Sequence, residues 1–150
     1  MNVKPELTPA GQGRVLRAFG DETTILLGGE QTGGSYAMIL NVTPPGGGPP
    51  PHKHDHEDEL FYVLEGRASF LAEGKWTDAL PGSAAFMPKG SVHTFKNAGD
   101  TPLKLVVTVS PSGFEKFVEK CAAEFAKPGA PDMARIMGYA DEHGIHFVQP

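Results

Sequence analysis

The sequence predicts an all-β sandwich or barrel of short strands followed by two C-terminal helices, and three observations lead there. Short runs rich in β-branched and aromatic residues recur between Gly and Pro clusters from Arg14 to Val109, at the spacing of an all-β fold. Beyond Pro111 the apolar residues switch to helical spacing. The chain has 150 residues and a single cysteine. That length suits one domain, which buries about 68–70% of its unfolded surface and needs no staple.

Each element follows from its own residues. Residues 1–12, with Pro5, Pro9 and Gly11, read as an arm that packs on the domain or on a partner subunit. Arg14 to Phe19, Thr23 to Leu27 and Tyr36 to Val42 are strand-like. Arg67 to Ala72 and Trp76 to Leu80 flank Glu73-Gly74-Lys75, a hairpin tip where Gly74 supplies positive φ and Trp76 packs on the hairpin. Ala84 to Met87, Val92 to Phe95 and Leu103 to Val109 complete the strands. Phe114, Phe117, Val118, Cys121 and Phe125 then fall on one helical face, with Ser112 as N-cap and Pro128-Gly129 as the stop. A second helix begins at Asp132, carries Met133, Ile136, Met137 and Ala140, and ends near Gly144. Both helices are expected to cover one face of the sandwich. The organisation is then an arm with the first strands (1–34), a barrel core (35–110) and a helical extension (111–150), all in one domain.

The stretch from Gly46 to Gly66 organises the rest. Gly46, Gly47 and Gly48 let the backbone turn, and Pro49, Pro50 and Pro51 straighten it, so His52 arrives on extended chain. Successive strand side chains point to opposite faces, so His52 and His54 aim two imidazoles at one point. Glu59, at the start of the next strand, adds a carboxylate. Pro88-Lys89-Gly90 is a natural turn, and His93 just beyond it offers a fourth ligand. Such a set suits a divalent transition metal, with iron, manganese, nickel, cobalt and zinc all open. Alternation turns Phe61 and Val63 inward with Glu59, and Phe95 shares the face of His93. Tyr36 and Met38 share a strand face with Leu40 that can line the same bowl or serve the core. An apolar bowl beside an ion favours an apolar or aromatic small molecule.

Two motifs carry a resemblance. Gly46, His52, His54, Glu59 and Gly66 match every defined position of the first cupin motif, G-x5-H-x-H-x4-E-x6-G. Gly82, Pro88, Gly90, His93 and Asn97 match the second, G-x5-P-x-G-x2-H-x3-N, equally completely. The resemblance covers roughly residues 35–110 and implies the family's double-stranded β-helix, a jelly-roll barrel, here with C-terminal α-helices. Ser110 to Phe117, followed by helices, is similar to the quercetin-dioxygenase-like group. That likeness implies His52, His54, Glu59 and His93 as ligands of a divalent metal, with Glu59 also acting as a catalytic base towards a substrate hydroxyl. The implied activity is a dioxygenase-like oxidation or cleavage of a small aromatic or enolic compound. Its rivals are a non-oxidative isomerase, decarboxylase or hydrolase at the same ion, and a ligand-binding domain without turnover. Cupins commonly pair, so a homodimer is expected, with the arm of a second copy covering a sheet edge.

Composition bounds the partners. A net charge of −5 with scattered Lys and Arg points away from nucleic acid and from an anionic membrane surface. The N-terminus lacks the apolar core of a signal peptide and no apolar run reaches the length of a membrane span, so a cytoplasmic protein is expected. Cys121 reads as a buried apolar residue, and Asn97 as the brace of a turn. Arg67 reads as decoration of a strand end. His56 reads as exposed, and His143 and His146 as a helix end and a surface contact. Glu57 and Asp58 rival Glu59 on composition, and motif register favours Glu59.

Overall fold

The computed structural model describes residues 3–148; residues 1–2 of the expected arm and 149–150 of the expected extension lie outside it. β1 (Arg14–Ala18) and β2 (Asp21–Leu27) form a hairpin, and a short helix α1 (Gly29–Thr32) leads to β3 (Ala37–Thr43). β4 (His52–His54) carries the histidine pair and β5 (Asp58–Glu65) carries Glu59. β6 (Ala68–Ala72), β7 (Lys75–Ala79), β8 (Ala84–Met87), β9 (His93–Asn97) and β10 (Leu103–Ser110) follow. The chain then forms α2 (Phe114–Phe125), α3 (Met133–Glu142) and a last strand, β11 (Ile145–Phe147).

The strands pair antiparallel in two sheets, ordered β1-β2-β3-β10-β5-β8 and β11-β4-β9-β6-β7. β4 and β5 follow each other in sequence yet lie in opposite sheets, the crossing that makes a jelly roll of the sandwich. The period-two pattern decides what faces inward. In β5, Glu59, Phe61 and Val63 are buried while Leu60, Tyr62 and Leu64 are exposed. Ala37, Ile39, Leu105, Val107 and Val109 join them from one sheet and meet Ala68, Phe70 and Phe95 from the other. The arm lies on its own domain: Thr8 Oγ1 donates to the Leu26 carbonyl at 2.6 Å, and Val3 packs against Gly33.

The C-terminal helices do something other than cover a sheet face. Phe117, Val118 and Cys121 of α2 and Ile136 and Ala140 of α3 pack on Leu16 and Ala18 of β1 and on Ile145 of β11. β1 and β11 are edge strands of different sheets, so the helices bridge the two edges and close one side of the sandwich. The reason is β11, which returns to pair with β4 and holds α3 across the opening. The segment from Asp141 to Phe147 is therefore more than a helix end: His143 caps α3, while Ile145 and Phe147 sit opposite His54 and His52. Helix α2 starts one residue later than expected, with Gly113 at φ +137 in place of Ser112 as N-cap. It also ends at Phe125 with Ala126 as C-cap, ahead of the expected Pro128-Gly129 stop. Asp132 caps α3 as expected, its carboxylate accepting from the Arg135 amide at 3.1 Å.

Candidate metal centre

The site joins both sheets. His52 and His54 come from β4, His93 from β9 and Glu59 from β5. The glycine loop brings the first of these into place. Gly48, at φ +148, lies so close to the Phe95 carbonyl and Lys96 Cα that a Cβ would collide with them, and the Asn97 amide donates to the Gly47 carbonyl at 2.9 Å. With the loop fixed to β9, His52 falls opposite His93. Asn97 braces the same corner, donating to the carbonyls of Thr43 (3.0 Å) and Thr101 (2.8 Å) and accepting from the Gly99 amide.

One ligand atom from each of His52, His54, Glu59 and His93 lies within 4.8 Å of the others. Glu59 Oε1 is 2.6 Å from His54 Nε2, 2.9 Å from His93 Nε2 and 4.0 Å from His52 Nε2. The His52 Nδ1–H donates to the Pro50 carbonyl at 2.9 Å, and the His93 Nδ1–H to the Ser91 carbonyl at 3.0 Å. A carbonyl only accepts, so both protons sit on Nδ1 and the Nε2 lone pairs face the centre. His54 differs. Its Nδ1 lies 3.8 Å from Oε1 of the buried Glu57, and both ring nitrogens, together with Glu57 Oε2, lack an aligned hydrogen-bond partner. Buried polar atoms are rarely left unpaired. A cation held by His54 and Glu59 would account for that close, unaligned approach, and three imidazoles with one carboxylate are a fitting donor set for a divalent transition metal.

Electrostatics favour the same occupant. Burial pushes His52 down to about 4 against the pull of Glu59, so its ring stays neutral and its lone pair free. Burial also works against protonated His54, but the carboxylates of Glu57 and Glu59 outweigh it and push the ring up to about 9. Burial alone would raise Glu59, yet the His54 and His93 rings, 2.6 Å and 2.9 Å from its Oε1, hold it well below the usual carboxylate range. The carboxylate is thus ionised, and buried charge of this kind needs positive charge beside it, which the His54 ring supplies in the metal-free protein and a bound cation would supply in its place.

A cavity of about 760 Å³ opens on the cluster. His52, Glu59, Phe61 and Phe95 line it from the barrel, and Phe114, Phe117, Met133, Met137 and Phe147 from the C-terminal segment. Val63 is fully buried in the core one row beyond Phe61, away from the cavity wall. Tyr36 and Met38 require a correction. Ile39 and Asn41 face the cavity, so Met38 stands on the outer face of β3, while Tyr36 lies before the strand and is exposed. The same one-residue parity that orients β5 applies to β3, and both faces of β3 carry apolar residues that hide it.

Several contributors escaped sequence reasoning. Phe147 was legible only as the apolar alternation of Ile145 and Phe147 around His146. Glu57, weighed as a rival ligand, instead stands behind His54. His56 is exposed, and His146 pairs with Asp55 at 2.7 Å, both outside the site. Cys121 is fully buried, its thiol pushed up to about 11. No helix among the described residues is long and apolar enough to cross a membrane.

Comparison with known proteins adds the family context. Residues 40–109 match the family model described as Cupin domain. The chain is 33% identical over 66 residues to an oxalate-binding protein of Thermotoga maritima, a match covering 44% of this chain and 54% of that one. It is 26% identical over 113 residues to quercetin 2,3-dioxygenase of Bacillus subtilis, covering 75% of this chain and 33% of that one. The chain therefore spans about half of the first relative's length and a third of the second's. The solved structure of a predicted oxalate decarboxylase from Thermotoga maritima matches with a TM-score of 0.60 at 26% identity, covering 74% of this chain and 99% of that one.

Proposed function

Because this chain belongs to the cupin superfamily, we propose that it is a metal-dependent dioxygenase-like enzyme acting on a small aromatic or enolic compound. The observation that supports this reading is the placement of a buried three-histidine, one-glutamate cluster on the wall of an aromatic-lined cavity. His52, His54, His93 and Glu59 would hold iron, manganese, nickel, cobalt or zinc. A bound redox-active ion there supplies Lewis-acid and oxygen chemistry.

The chain's own residues do the rest. Phe61, Phe95, Phe114 and Phe147 flank a planar ligand and exclude water from the cluster. Glu59, the one carboxylate in the four-residue cluster, takes a hydroxyl proton from a bound enol or phenol in this reading. Names borne by the relatives also point to oxalate chemistry, a non-oxidative alternative at the same ion. The cavity lining argues against a small dianion, since no Lys or Arg is among its described residues.

Protein loaded with each divalent metal in turn should consume oxygen with a panel of flavonols and 1,3-diketones. Silence across the panel rejects the proposal. Product formed without oxygen would favour the non-oxidative reading, and tight binding by metal-free protein without product would favour a binding role. We also infer a homodimer through the outer face of the larger sheet, where Leu60 and Phe86 sit opposite each other and Tyr62 and Leu64 are exposed beside them. A light-scattering mass equal to one chain would reject it.

A further inference from the structure

The cavity has a second polar end that the metal cluster does not explain. The inward face of β3 runs Ala37, Ile39, Asn41, Thr43, and that of β2 runs Asp21, Thr23, Ile25, so the apolar pattern breaks at neighbouring positions on paired strands. These side chains form one network. Thr23 Oγ1 donates to Asn41 Oδ1 at 2.8 Å, and Asn41 Nδ2 donates to Asp21 Oδ2 at 2.9 Å and to Thr43 Oγ1 at 3.1 Å. Thr43 Oγ1 donates in turn to Asp21 Oδ2 at 3.1 Å. Among the described residues both bonds to the Asp21 carboxylate fall on Oδ2, Oδ1 takes none, and no ion pair involves Asp21. Burial raises its pKa, in keeping with a carboxyl that has no cation beside it.

Asp21, Thr23 and Asn41 all line the cavity that opens on Glu59 and His52. Glu59 lies opposite Val109 of β10 and Asn41 opposite Leu105. Four residues along β10 and two strand spacings across it put the Glu59 and Asn41 backbones roughly 16 Å apart, and the Asp21 carboxylate reaches Asn41 Nδ2 at 2.9 Å from the next strand. With both sets of side chains reaching inward, the remaining gap suits a planar molecule of about three rings.

We propose that Asp21, held by Asn41 and Thr43, is a second anchoring point that accepts a hydrogen bond from a hydroxyl at the end of the ligand remote from the metal. The substrate class is then a planar polyhydroxylated aromatic with oxygen donors at both ends. This assignment rests on the metal-centred aromatic-ligand reading above, and the test separates the two.

Zinc-loaded protein is titrated with quercetin, which carries hydroxyls at both ends, and with 3-hydroxyflavone, which carries one only at its chelating end. Wild-type protein should prefer quercetin by about tenfold or more, the range of a hydrogen bond to a carboxylate. Asp21→Ala should bring the two affinities within about threefold while 3-hydroxyflavone binds as before. Asp21→Asn, which keeps the side chain's size, should also lower the preference, and it decides the matter if Asp21→Ala does not fold. A preference unchanged in Asp21→Asn, with 3-hydroxyflavone still bound, overturns the anchoring point and leaves the metal-centred reading standing. Wild-type protein that binds neither flavonol overturns both.

Discussion

Replacing Glu59 by Gln keeps the side chain's shape and removes the one carboxylate from the four converging groups. Its Oε1 lies 2.6 Å and 2.9 Å from two imidazole nitrogens, so a neutral amide there leaves a bound dication facing three uncharged rings. Loss of a partner outside the ligand shell already costs metal affinity about 10–100-fold, and loss of a charged ligand belongs at or beyond the upper end. A metal present at 100 times its Kd stabilises the folded state by about 2.7 kcal/mol. After a 100-fold loss the same concentration equals Kd, and the stabilisation falls to about 0.4 kcal/mol. At about 2–4 °C per kcal/mol for a chain of this size, a metal-induced rise in Tm of about 5–11 °C shrinks to about 1–2 °C. Calorimetry of wild-type protein and Glu59→Gln, each with and without metal, measures both shifts at once. Equal rises in the two proteins would refute the assignment of Glu59 as a ligand.

Further outcomes are expected elsewhere. In the metal-free protein, His52 is held at about 4 while its unfolded value is 6.5, so the unfolded chain gains a proton first as pH falls. His52 therefore costs stability progressively from pH 6.5 towards 4, up to about 3 kcal/mol, whereas His54, raised to about 9, is protonated in both states there. Urea titrations across that window should show a shallower pH slope in His52→Asn, and an identical slope counts against the burial argument. Glu57→Gln should weaken metal binding about 10–100-fold in competition with a chelator, because a charged group behind His54 is lost; unchanged affinity would make Glu57 a bystander. Cys121 should resist a thiol reagent at pH 8 in the native protein and react on unfolding, and rapid native labelling would contradict its burial.

Legibility followed the range of the interactions. The HxH pair was readable because strand geometry alone puts His52 and His54 on one face. Glu59, Phe61 and Val63 were readable for the same reason, since the carboxylate sets the parity of β5. Tyr36 and Met38 were misplaced because β3 carries apolar residues on both faces, and nothing local chooses between them. Three-residue β11 carries too short a pattern to stand out, although Phe147 ends beside His52 with ring centroids 6.3 Å apart.

By itself the sequence determined most of the strands, the two longer helices and the set of four candidate ligand types, because periodicity, turn chemistry and side-chain donors are properties of neighbouring residues. Only the tertiary structure decided which sheet each strand joins, that the helices bridge β1 and β11, and that Glu57 stands behind His54 while Asp21 and Asn41 face the same cavity as Glu59. Those outcomes depend on contacts between segments far apart in the chain, where burial and pairing across the sandwich, not local spacing, select the arrangement.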